Sequence, residues 1–405
     1  MSNRAAALAA GAVVAGLVTA ASALAWRDDS PLVPRDGGLA DGGTAWVFLG
    51  LLVAALASYL VGLWLLRRTA VPLRLVVGIA VAVQLVPLAA PLLLSTDAWT
   101  YWGYGWIGAE TAGNPYVEPP LAYPESPALA YLGADWRDTT SVYGPVFTLL
   151  SEPVAEVAGS SEDAAAWLFK CLAAAGMLAA IAAVSSTCGR AALATAFVGW
   201  NPVVAIHAAG GGHNDALVGG LVAGGVALAA HRRSGASGVV WTLAAFVKWV
   251  PVLLFAVAAV TARARGRPTG VAAAIATVVF AGAVATWAFG PDWLGALGPL
   301  VDNVDRETSY AIPSRLEQLG VPETVALALA LGVLVAGLAW IARDAARGLS
   351  RLGRTSCLLL VTTPYLAVWY LAWAVPLAAL DEDDAPARVG VLALTAYLLP
   401  QTIPI

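Results

Sequence analysis

Asp97 is the first ionisable residue after the long uncharged run 76–94, and it opens a polar and aromatic stretch that continues to Tyr143. A carboxylate placed there is able to take a proton from a hydroxyl, which is general-base chemistry. Its company is Trp99, Tyr101, Trp102, Tyr104 and Trp106, then Asn114-Pro115-Tyr116 and Tyr143-Gly144-Pro145. Aromatic faces combined with amide and carboxylate hydrogen bonds suit a carbohydrate. Two plainer readings stand beside this one. Aromatics at a membrane surface form an interfacial belt, and an aspartate after Ser95-Thr96 is a ready helix cap.

A second constellation is Trp200-Asn201-Pro202 followed by Gly210-Gly211-Gly212-His213-Asn214-Asp215. Three glycines free the backbone just where a small-residue helix begins, and Asn214 or Asp215 also reads as its cap. One histidine and one aspartate do not complete a metal site. Mg²⁺ or Mn²⁺ bridging a phosphate stays open, and no other cofactor is indicated. Two lysines lie deep in apolar sequence, Lys170 and Lys248. Lys170 reads as a lysine lifting its ammonium to the interface along its stem. Lys248, at Lys248-Trp249-Val250-Pro251, suits an anionic group such as a phosphate, as do His213 and Arg315. Arg315 reads equally as a solvated residue of the loop 302–317.

The elements that must position these groups follow from composition. The 405 residues are 60% hydrophobic and 12% charged, with a mean hydropathy of +0.76. These values define an all-α, polytopic integral membrane protein. Apolar runs long enough to span lie near 5–26, 44–66, 71–94, 164–184, 191–208, 216–230, 269–289, 323–342, 356–380 and 387–403, about ten in all. The first of them also resembles a cleavable signal peptide. The segment 238–261 is different, because basic residues flank both of its ends. A helical hairpin broken around Lys248–Pro251 resolves that conflict, and a full crossing is the alternative. Cys171, Cys188 and Cys357 show neither disulfide nor zinc spacing.

Basic residues stay on the cytoplasmic side of short loops. An N-terminus inside puts 14 of the 22 Lys and Arg in the cytoplasm, among them Arg67, Arg190, Arg265, Arg351 and Arg354. The same assignment places 97–163, 210–215, 291–323 and 381–388 outside. No repeat or separable soluble domain interrupts 1–405, so the chain reads as one membrane domain. Its outer loop 95–163 carries two short interfacial helices, near 95–112 and 146–158, joined by the proline-rich stretch 114–127.

In this order, and closing with Trp369-Tyr370-Leu371-Ala372-Trp373, the motifs resemble the C-type (GT-C) glycosyltransferases. Within them the chain is most similar to the polyprenol-phosphate-mannose-dependent alpha-1,6-mannosyltransferases of actinobacteria. The resemblance runs from about residue 95 to residue 376 and is most specific from Asn201-Pro202 to His213-Asn214-Asp215. It implies transfer of a sugar, mannose, from a polyprenyl-phosphate donor to a hydroxyl of a lipid-linked glycan on the outer face of the cytoplasmic membrane. Asp97 matches the family's general base. Tyr101, Tyr104, Asn114, Tyr116, Tyr143, Asn201, His213, Asn214, Asp215, Lys248 and Arg315 are the candidates to bind substrate. No nucleic-acid partner is expected. A lipid or sugar transporter would also use charges at depth and broken helices, but it predicts pseudo-symmetric halves that the sequence lacks. A non-catalytic assembly partner would tolerate loss of Asp97.

Overall fold

Uniformly apolar runs make helices whose limits are set by the residues at their ends. The computed structural model describes residues 2–28, 30–34, 42–296 and 308–402; among them every regular element is helical and there is no strand. The stretch 297–307, including Asp302 of the expected outer loop, lies outside the described residues.

In chain order, α1 (Asn3–Ala23) pairs with α2 (Gly42–Leu66), and α3 (Leu73–Leu85) leads toward α4 (Asp97–Thr111), which packs on α5 (Pro145–Ala158). Then come α6 (Glu162–Thr187), α7 (Ala191–Gly199), α8 (Asp215–Ala230), α9 (Ser234–Val247), α10 (Pro251–Ala264) and α11 (Val271–Phe289). The chain closes with α12 (Glu323–Ala346), α13 (Leu352–Thr362), α14 (Leu371–Leu380) and α15 (Ala385–Tyr397). Five of these, α1, α2, α6, α11 and α12, are long and apolar enough to cross a bilayer. A sixth arises if α7 and the segment 202–210, bent by 51° at Asn201-Pro202, count as one span. The outer faces of α11 and α12 expose Phe280, Trp287, Leu331 and Val335. Apolar surface of that extent belongs in hydrocarbon, and the chain is a membrane protein.

The centre of the bundle is the contact of α6 with α8. A Cβ on Gly176 would sit 2.3 Å from the Ala216 carbonyl oxygen, and one on Gly220 would sit 2.3 Å from the Gly176 oxygen. The absent side chains let the two backbones touch, as small residues do between helices in membranes. Trp200 anchors the N-terminal pair to this centre. It is fully buried, its indole N–H donates to the Val76 carbonyl at 3.1 Å, and its ring fills the space left by Gly11 and Gly62.

Two further expected spans are broken or shortened, and the segment left open between hairpin and crossing takes one form. The run 71–94 is helical only through Leu85 and then tightens into a 3-10 turn, Val86–Ala89, that contains Pro87. The segment 238–261 is the expected hairpin: α9 ends at Val247, α10 starts at Pro251, and the two fold back so that Trp241 and Phe255 meet with ring centroids 5.8 Å apart. The run 356–380 is not one crossing. Thr363-Pro364 stops α13, because a residue before proline is driven from helical geometry, and α14 returns along α13.

That return corrects the sidedness of 381–388, which was expected opposite the arginine clusters. Glu382 instead accepts hydrogen bonds from the backbone N–H groups of Gly189 and Arg190, Asp384 pairs with Arg354 at 2.7 Å, and Asp381 accepts from Ser350 and from the Gly353 N–H. These acids therefore lie at the arginine-rich end of the bundle, where Asp384 offsets one of its guanidinium charges. The physical reason is the extra reversal at 363–370, which hydropathy alone does not mark.

Candidate active site

The opposite end of the bundle gathers the chemistry. Residues 93–95 run beside the glycine loop, with the Leu93 N–H donating to Gly210 O at 3.0 Å. Leu94 takes a left-handed backbone, φ 66°, which turns the chain abruptly into α4. Asp97 therefore starts α4 directly over residues 210–215. There the helix loosens into a π turn, Ile206–Gly210, and reverses at Gly212, φ 70°; such turns concentrate at functional sites.

The Asp97 Oδ2 lies 3.0 Å from His213 Nδ1 and accepts a hydrogen bond from the Tyr101 hydroxyl at 3.3 Å. The Tyr101 oxygen in turn accepts the Asn214 N–H at 3.4 Å. The His213 ring is stacked on Trp369, centroids 4.0 Å apart and planes within 11°. Beside this pair, Lys248 Nζ donates to Asp215 Oδ2 at 2.7 Å and lies 4.7 Å over the Tyr370 ring, while Trp373 Nε1 donates to Asp215 Oδ1 at 3.1 Å.

Asp97 and Lys248 border one cavity of about 200 Å³, with Trp136, Tyr143, Tyr365 and Trp369 among its walls. Side-chain exposure separates the layers. Asp97 is 13% and Lys248 20% exposed, whereas their partners His213 and Asp215 are each 1% exposed. The first two can meet a substrate; the second two sit behind and hold them. Burial pushes the Asp97 carboxyl up, but the hydrogen bond and charge of His213, followed by Lys248 and the Ser95 hydroxyl, outweigh it and hold the group below its ordinary value. The carboxylate is thus ionised and able to accept a proton.

Tyr143 reaches the cavity because of Gly144. A Cβ there would fall 2.1 Å from the Phe246 carbonyl oxygen, and the Gly144 N–H donates to Val247 O at 3.0 Å. Pro145 then opens α5, a position where its missing N–H costs nothing. The tip of the α9–α10 hairpin and the Tyr143 loop are consequently locked together.

Asp97, Tyr101, Tyr143, His213, Asn214, Asp215 and Lys248 are therefore brought into one cluster. The remaining candidates are placed elsewhere. The Tyr104 hydroxyl binds the Thr139 and Thr140 carbonyls. Asn114 donates to Phe289 O at 2.7 Å, Tyr116 to Tyr143 O at 2.9 Å, and Asn201 accepts from the Val203 and Val204 N–H groups as a helix cap. Arg315 lies over the Tyr310 ring and bonds Gln318 and Tyr397, outside the walls of the cavity. Lys170 donates to the carbonyls of Leu88, Ala90 and Pro91, so it ties down the segment that leads to Asp97.

Trp136, Tyr365, Trp369, Tyr370 and Trp373 were not singled out as site residues. Trp369 and Trp373 had a signal, being one helical turn apart inside the last quoted motif, but uncharged aromatics in an apolar run look like core. His207 was missed as well; it is buried 6.1 Å from the His213 ring, and neither ring nitrogen has a hydrogen-bond partner. An ionisable residue inside the run 191–208 was the available sign. Among the described residues no three His, Cys, Asp or Glu side chains converge as metal ligands, and both Asp215 oxygens already have partners.

Fold and site together are those of a helical membrane protein that collects ionisable and aromatic side chains around a cavity at one end of the bundle. Within that class, the chain belongs to the alpha-(1->6)-mannopyranosyltransferase family, whose N-terminal domain matches residues 4–265. It is 29% identical over 259 residues to an alpha-(1->6)-mannopyranosyltransferase A of Corynebacterium glutamicum, covering 57% of this chain and 52% of that protein. To the protein of that name from Mycobacterium tuberculosis it is 25% identical over 348 residues, covering 76% and 67%. The chain thus spans about half the length of the first relative and two thirds of the second. No solved structure matches it.

Proposed function

We propose that the chain is a mannosyltransferase that moves mannose from a polyprenyl-phosphate donor to a hydroxyl of a lipid-linked glycan. It would work as a single membrane domain, with the cavity opening on the extracytoplasmic side and the arginine-rich end in the cytoplasm. The observation that carries the reading is that a carboxylate, Asp97, and an ammonium, Lys248, border the same aromatic-walled cavity.

A polyprenyl phosphate leaves readily, so the demands on the protein are position and deprotonation. Asp97 takes the proton of the acceptor hydroxyl as its oxygen bonds to the anomeric carbon, and the bond from that carbon to the phosphate oxygen breaks. A base so placed contributes typically about 10² to 10⁴ fold. Lys248 has three N–H donors and spends one on Asp215; the others are free to meet the negative charge growing on the departing phosphate. His213, clamped between Trp369 and Asp97, fixes the direction of the carboxylate. Trp369, Tyr143 and Tyr365 offer faces for the sugar.

The test is a panel of radiolabelled donors offered to the purified chain with lipid-linked acceptors. Transfer from polyprenyl-phosphate mannose, and none from a nucleotide sugar, supports the reading. Transfer from the nucleotide sugar alone removes the donor class.

A further inference from the structure

A second cavity, of about 320 Å³, lies at the arginine-rich end, where the termini of α2, α7, α14 and α15 meet. Its rim carries three guanidinium groups, Arg67, Arg190 and Arg388, and its floor is apolar, with Leu63, Leu193 and Phe197. The only acid on its wall, Glu382, already accepts the Gly189 and Arg190 N–H groups. Arg190 and Arg388 each use some of their donors on backbone carbonyls, Arg190 on Arg67 O and Arg388 on Asp381 O and Glu382 O. Neither fills the fork of five N–H donors that a guanidinium presents. No ion pair holds Arg67 among the described residues. The cavity is therefore cationic at its mouth and greasy beneath, and it has no part in the cluster around Asp97.

We infer that this cavity binds one anionic phospholipid, its phosphate held by Arg67 and Arg388 and the start of its acyl chain lying on Leu63, Leu193 and Phe197. One feature selects a lipid over a soluble anion, and two fit its headgroup. The site sits beside α2, whose neighbouring Leu60, Val61 and Trp64 are exposed, so an acyl chain has a direct route in from the bilayer. Guanidinium groups match phosphate oxygens in pairs. Basic pockets between helices at the cytoplasmic leaflet are suited to acidic headgroups.

The experiment uses the full chain in nanodiscs of phosphatidylcholine containing a minor share of phosphatidylglycerol, with retained lipid read by native mass spectrometry. The parent is expected to keep one phosphatidylglycerol. Arg67→Gln should lower its occupancy about fivefold. Ala385→Glu, at an exposed position on the cavity wall, should do the same by repulsion, and it decides the matter if the arginine variant fails to fold. Arg68→Gln is the control, since Arg68 lies over Trp64 at 4.0 Å and outside the cavity; it should retain the lipid. Undiminished retention in both cavity variants overturns the inference. So does equal loss in the control, which would mean general surface attraction, or full displacement by inorganic phosphate, which would mean a site for the soluble anion.

Discussion

Asp97 and His213 are 116 positions apart in the chain, yet Oδ2 of one lies 3.0 Å from Nδ1 of the other. An ionised carboxylate only accepts, so Nδ1 carries the proton and the ring is fixed in that sense. Stacking on Trp369 removes the remaining freedom of the imidazole. Helix α4 and the glycine loop are thereby joined at the group assigned to proton removal.

The dependence on pH should follow that bond. Burial raises the Asp97 carboxyl, and His213 and Lys248 more than offset it, so the base is ionised at a lower pH than it would be alone. His213→Ala leaves burial less opposed, and the acid limb of the pH–rate profile should move to higher pH; His213→Gln, which retains an amide donor, should move it less. The sign for stability agrees: a lowered carboxyl stabilises the fold above its unfolded-state value, and that contribution is lost as the pH falls through the folded one. An acid limb unchanged in both variants would separate His213 from Asp97.

Lys248 and Asp215 make a distinct prediction because one is partly open and the other is not. Lys248→Met strands a buried carboxylate and should cost about 3 kcal/mol of stability. Adding Asp215→Asn removes the stranded charge, so melting temperature should recover. Transfer should not recover, since the phosphate has lost its ammonium. Recovery of both would make the lysine purely structural.

The α6–α8 contact leaves no room for a methyl group. Gly176→Ala puts a Cβ within 2.3 Å of a backbone oxygen, so the helices must part at a cost of about 1–3 kcal/mol. Because Ala216 directly follows Asp215, the displacement should reach the site and lower turnover as well. Melting equal to the parent's would show that the contact is looser than described.

Much of this was legible in the sequence for a simple reason: charge is so costly at depth that polar residues in an apolar chain mark where water or a partner must be. Asp97, the His213 loop and the break at Lys248 stood out on that ground, and so did the hairpin, through its two basic flanks. Uncharged aromatics carry no such mark, which is why Trp369 and Tyr370, though part of the closing motif, were not among the site candidates. The reversal at 363–370 was hidden likewise. A Thr-Pro step opens the turn inside an apolar run long enough to span, and the bonds of Asp381 to Ser350 and Gly353 and of Asp384 to Arg354 reveal the returning chain. Asn114, Tyr116 and Asn201 looked like ligand groups because side chains that bind backbone and side chains that bind sugar are of the same types.

The most direct measurement is the initial rate of mannosyl transfer from radiolabelled polyprenyl-phosphate mannose by Asp97→Asn, with its melting temperature beside the parent's. The amide fills the same space but is far too weak a base to take the acceptor's proton, so the rate should fall by about 10² to 10⁴ fold while the fold persists. Transfer at the parental rate by the folded variant would contradict the role assigned to that carboxylate.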